Sequence, residues 1–111
     1  MAQNFRRYTL NAVGTGAQDI PDGSNFDTYD AIVGISLGNI LSTAITVDCY
    51  INDGSNDIYL VKDAPIPTGS SLQVLDGGAK VVVQSGDRLY VKSSDAASVD
   101  VWVSAVDAIS T

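Results

Sequence analysis

Residues 45–67 read ITVDCYINDGSNDIYLVKDAPIP, and this stretch decides the fold. Its first half alternates without a slip: Ile45, Val47, Cys49 and Ile51 on one side, Thr46, Asp48, Tyr50 and Asn52 on the other. Successive side chains of an extended strand point to opposite faces. The alternation therefore sets an apolar side against a core and leaves a polar side to water or a partner. The polar run Asn52-Asp53-Gly54-Ser55-Asn56-Asp57 separates it from a second apolar run, Ile58 to Val61. Two such runs around a loop containing Gly predict a β-hairpin. Pro65 and Pro67 follow, and because proline has no N–H to donate, the ladder is expected to stop there.

The same grammar extends in both directions. Strands are predicted at residues 6–13, 31–39, 71–75, 80–84, 88–92 and 98–108, beside the two of the hairpin. In 31–39, Ala31, Val33, Ile35 and Leu37 fall on one face and Ile32, Gly34, Ser36 and Gly38 on the other. Asp76-Gly77-Gly78 and Ser85-Gly86-Asp87 are turn signals. The stretch from Gly14 to Asp30 reads as a loop, and residues 1–6 as an N-terminal arm leading into the first strand. All thirteen acidic residues are Asp, with no Glu. Asp favours turns and caps where Glu would favour helix. Eight short strands at this spacing, with no 3.6-residue period, define an all-β chain. The expected fold is one antiparallel β-sandwich over residues 1–111, in jelly-roll or immunoglobulin-like order.

Charge and composition exclude several functions. The 111 residues carry 6 Lys plus Arg against 13 acidic groups, a formal net charge of −7. That balance opposes nucleic-acid binding, which rests on neutralising phosphates with cations. The one cysteine, Cys49, allows no intrachain disulfide and lies on the apolar side of its strand, as a small buried hydrophobe would. No apolar run approaches the ~20 residues of a membrane span, and the first residues lack a signal-peptide core. Without His or Glu, the usual general bases, the Ser-His and Cys-His pairs and the His/Cys zinc sites are all missing. Neither an enzyme nor a cofactor is expected. The Asp-rich loop 52–57 offers calcium-like oxygens but not the EF-hand order, and a turn with positive φ at Gly54 is the expected reading.

The aromatic residues carry more. If Val99, Val101, Val103 and Ala105 face the core, Trp102 faces outward. By the same alternation Tyr50 and Tyr90 lie on polar sides. Trp and Tyr concentrate at the centres of protein interfaces. With Arg6 and Arg7, which make the N-terminal arm basic on an acidic chain, Tyr50, Tyr90 and Trp102 are the candidate interface residues. The same three aromatics could also form a stacking platform for host sugars.

Four phrases now combine: DAIVGISLGN (residues 30–39), DIYLVK (57–62), APIPTGSSL (64–72) and QSGDRL (84–89). In this order they resemble small virion structural proteins of tailed phages, most of all those of marine phages infecting cyanobacteria. The resemblance implies a virion component with a β-sandwich fold and assigns no catalytic or binding residue. The expectation is a capsid decoration or cement protein located in the virion. Its partners would be the major capsid protein and copies of itself, as a homotrimer. A neck, tail or fibre component is the alternative.

Overall fold

Nine β-strands form two antiparallel sheets in the computed structural model, which describes residues 4–20, 30–75, 81–83 and 86–107. They are β1 (Asn4–Val13), β2 (Gln18–Ile20), β3 (Asp30–Asn39), β4 (Ile45–Asn52), β5 (Asp57–Ile66), β6 (Ser71–Leu75), β7 (Val81–Val83), β8 (Arg88–Ser93) and β9 (Val99–Asp107). The first sheet has the order β1-β9-β3-β6, with β7 also on β3; the second is β2-β8-β4-β5. The pairs nest from the outside in: β1 with β9, β2 with β8, β3 with β6 and β7, β4 with β5. A hairpin of this kind, folded over into two sheets, is the jelly-roll order, which decides between the two expected topologies.

The core lies where the alternation puts it. Val47 and Cys49 of β4 and Leu89 and Val91 of β8 are at most 1% exposed, and the equally buried Ile35 and Leu37 of β3 and Val99 and Val103 of β9 meet them from the other sheet. Each such side chain contributes roughly 1.5–3 kcal/mol by leaving water.

Four readings change. The loop expected between Gly14 and Asp30 contains β2, three residues held by β8 through Gln18–Val91 and Ile20–Leu89. In β3 the register against β9 slips between Ile32 and Gly34, so Val33 is one residue too many. A bulge reverses the side-chain phase, and Ile32, expected outside, is fully buried while Val33 is only partly so. The ladder also runs through Pro65, which pairs with Thr46. β5 is the edge of its sheet, where a missing N–H costs no bond. Finally, the arm expected over residues 1–6 is strand from Asn4 onward, with Arg6 opposite Ala105 and Arg7 opposite Ser104.

A buried amide ties the corner together. Asn39, 7% exposed, donates from Nδ2 to the carbonyls of Thr43 (2.8 Å), Ile66 (3.1 Å) and Pro67 (3.3 Å). Its Oδ1 accepts the Leu41 N–H at 2.9 Å. The end of β3 is thereby fastened to the proline corner, and the Thr68 hydroxyl closes the tie by donating to the Leu41 carbonyl at 2.9 Å. At the same end of the sandwich, opposite Gly38, the Asp100 carboxylate accepts the Ala12 N–H at 2.8 Å and Asn11 Nδ2 at 3.0 Å. It holds the bulge where β1 slips against β9 and Ala12 takes a positive φ of 54°.

Two outcomes follow from the interior. Asn39→Leu strands several buried polar groups at once and is expected to cost about 2–3 kcal/mol in urea unfolding; an unchanged midpoint would show that water replaces the amide. Burial also pushes the Cys49 thiol up to about 12 from 9.0. The neutral thiol therefore supports the fold fully below pH 9, and its contribution is lost as the unfolded thiol ionises above that. From Cys49 alone, stability should fall by about 1.4 kcal/mol per pH unit beyond pH 9. A Cys49→Ala chain should lack that part of the slope, which parallel curves for the two proteins would contradict.

Candidate functional site

With the inner faces filled, the outer faces remain. On the second sheet one row crosses all four strands: Tyr59, Tyr50, Tyr90 and Asp19, each the register partner of the next. The rings stand as a column. Tyr59 and Tyr50 are 4.9 Å apart at 41°, and Tyr50 and Tyr90 are stacked at 5.3 Å and 18°. The Lys62 ammonium caps the column 4.6 Å from the Tyr59 ring. Beyond Tyr90, Asp19 forms an ion pair of 3.2 Å with Arg88. Burial, and then the charges of Asp57, Tyr59, Tyr90 and Asp48, push the Tyr50 phenol up from its ordinary value. Offset ring pairs of this kind each contribute about 0.5–1.5 kcal/mol beyond their buried area.

Two features flank the column. The hairpin loop is a turn with φ +97° at Gly54. Asn52 Oδ1 accepts the Gly54 N–H at 2.8 Å, and Asp53 Oδ1 accepts those of Asn56 (2.8 Å) and Ser55 (3.0 Å). Those bonds hold the Asp53 carboxyl below its ordinary value and spend its oxygen within the turn. On the other side, a cleft of about 210 Å3 is lined by Thr46, Asp48, Asp63, Lys92, Ser93 and Ser94. There Asp48 Oδ1 accepts the Asp63 N–H at 2.7 Å, at a bulge where Asp63 has a φ of 50°.

The first sheet carries the other row: Thr9, Trp102, Ser36 and Gln73, again one residue from each strand. Trp102 is 52% exposed, and the Arg7 guanidinium lies 5.3 Å from the centroid of its ring. Gln73 Nε2 donates to Ser36 Oγ at 3.0 Å, so the polar end of the row is bonded.

The candidate residues thus separate into two groups on opposite sides of the sandwich. Tyr50 and Tyr90 meet on the second sheet, and Arg7 and Trp102 meet on the first. Arg6 alternates away from Arg7 and does not join Trp102. A sugar platform built from Trp102, Tyr50 and Tyr90 together is not formed, and the two faces of Tyr50 are taken by its neighbours. Tyr59 is the residue the sequence reading missed. Counting outward from the hairpin loop would have found it, since Asn52 opposite Asp57 sets Tyr50 opposite Tyr59.

These features define a jelly-roll sandwich with a stacked tyrosine column on one face and a half-exposed Trp102 on the other. No protein-family model and no curated protein matches the sequence. The fold does have a solved counterpart in a chain of the "acidic stable capsid structure of Helicobacter pylori bacteriophage KHP30". The TM-score is 0.60 at 10% identity, over 99% of this chain and 90% of that chain. At that identity the likeness is one of fold.

The column has a thermodynamic signature. A double-mutant cycle of Tyr50→Ala and Tyr90→Ala in urea unfolding should give a coupling of about 0.5–1.5 kcal/mol. Strict additivity would mean that the rings only neighbour each other.

Proposed function

We propose that the chain is a non-enzymatic virion structural protein, a capsid decoration or cement protein that bridges neighbouring head subunits. The observation that carries this reading is the likeness of fold over nearly the whole of two chains, the other belonging to a phage capsid structure. The resemblance of four sequence phrases to small virion proteins of tailed phages points the same way. So does the chemistry: a chain without His or Glu, with its one thiol in the core, offers surface rather than reactive groups.

A bridging protein acts by geometry. Each copy covers a few hundred Å2 on each of several subunits, and simultaneous contacts make the total tight where each alone is weak. Expansion of the shell must then break several contacts together. Copies of the chain would assemble as homotrimers over the junctions of shell subunits, and the major capsid protein is the principal partner. No membrane or nucleic-acid contact is needed. Among the described residues no helix is long and apolar enough to cross a membrane.

Heads assembled without this protein should release DNA at a lower temperature than complete heads, as read by a DNA-binding dye during heating. Equal release temperatures would sink the cement reading. A count of copies per particle separates the alternatives: hundreds fit a head component, and a dozen or fewer fit a neck, baseplate or fibre.

A further inference from the structure

We infer that the outer face of the first sheet, centred on Trp102, seats on the head shell, and that the outer face of the second sheet looks to solvent. The assignment rests on the decoration reading above and adds which side of the molecule does the binding.

The two outer faces differ in what is already spent. On the second sheet the groups of the aromatic column have partners in one another, though Tyr59 at its edge is 41% exposed. Lys62 lies on Tyr59, Tyr50 is held between Tyr59 and Tyr90, and Arg88 is paired with Asp19. A partner docking there would displace contacts that already exist. On the first sheet Trp102 is half exposed with Arg7 beside it, and Arg7 has no carboxylate partner among the described residues. Trp and Arg are the residues that most often dominate interface energetics.

The surroundings match. On a chain of net charge −7, Arg7 and Asp100 are the charged side chains that this face presents among the described residues, and Asp100 is committed to the β1 bulge. Charge depletion around an aromatic centre marks the core of a protein interface. Beside the Trp102 row, Phe5, Val106, Ala31 and Val82 form an apolar row across four strands. Its ends, Phe5 and Val82, are 83% and 69% exposed, while Val106 and Ala31 between them are buried, so the row offers surface at its ends. In β3, Gly38 lies on the same face as Ser36, and a Cβ there would meet nothing nearer than the Asp100 carbonyl at 3.9 Å, so a partner's backbone can come close.

Area and charge select the occupant. Four strands by the length from Phe5 to Asn11 is about 19 Å by about 23 Å, or roughly 450 Å2. A stable pair needs about 800 Å2 from each partner, so this face is too small to hold two copies together in solution. It suits a flat, charge-poor surface of a shell subunit with a carboxylate opposite Arg7, met while the same copy touches a neighbour.

The test is co-sedimentation of the full chain with heads of its phage assembled without it. Wild type should bind saturably. Trp102→Ser and Arg7→Asp should each weaken binding by about thirty-fold or more. Gln73→Glu, which removes no contact with the fold's interior and adds a charge, should also weaken it. Tyr59→Ser and Tyr90→Ser should stay within about threefold of wild type. If wild type fails to bind, the decoration reading falls, and this assignment with it. If wild type binds and the Trp102, Arg7 and Gln73 variants bind equally well, the decoration reading stands and this face is the wrong one. Loss confined to the Tyr variants overturns it in the same way. A change in the solution mass of the free chain on Trp102→Ser would make the occupant a second copy and overturn the shell assignment.

Discussion

A strand between a dry core and water can use only half of its side chains for anything but packing, and this constraint governs the whole molecule. With no disulfide, and no helix among the described residues, the inward halves of the strands must supply the cohesion. They do so with Val, Ile and Leu from both sheets, closed at one end by the Asn39 amide. What the protein can do is left to the outward halves. The jelly-roll order then distributes those halves over two faces that point away from each other. The outward aromatics divide along the same line, into a stacked tyrosine column on one face and a half-exposed Trp102 beside Arg7 on the other.

Part of this was legible in the residues. The alternation of β4, β8 and β9 gave their inner and outer sides correctly, because each of those strands is paired on both sides and runs without interruption where it crosses the core. The turn at Gly54 was legible from Asn-Asp-Gly chemistry. What failed had physical causes. β2 is three residues long, and no local pattern announces a strand that exists only because β8 offers it an edge. The bulge at Val33 exchanges the faces of Ile32 and Val33, and a sequence of β-branched residues reads the same in either phase. Pro65 reads as a stop in the sequence because its place on an edge depends on the order of strands, which is a tertiary fact.

The candidate site was half legible for a related reason. Outwardness is a property of one strand and can be read from alternation, so Tyr50, Tyr90 and Trp102 were all found. Adjacency is a property of the sheet. Tyr50 and Tyr90 are neighbours only because β4 pairs with β8, and Trp102 is remote from both only because β9 belongs to the other sheet. A platform combining all three was therefore a reasonable expectation of composition and an impossible one of topology.

The pairing of β1 with β9 also sets the timetable of synthesis. Tyr8 faces Val103 and Leu10 faces Val101, so β1 finds its ladder only when β9 has emerged from the ribosome. Until then Phe5, Tyr8 and Leu10 wait without their sheet, and long-range antiparallel pairing of this kind is intrinsically slow. An excess of aspartate in the growing chain disfavours association of unfinished copies while that wait lasts. The same wait delays completion of the Trp102 face. Thr9 and Trp102 come side by side only when β1 and β9 pair, so the surface that would grip a shell does not exist before both strands are in place.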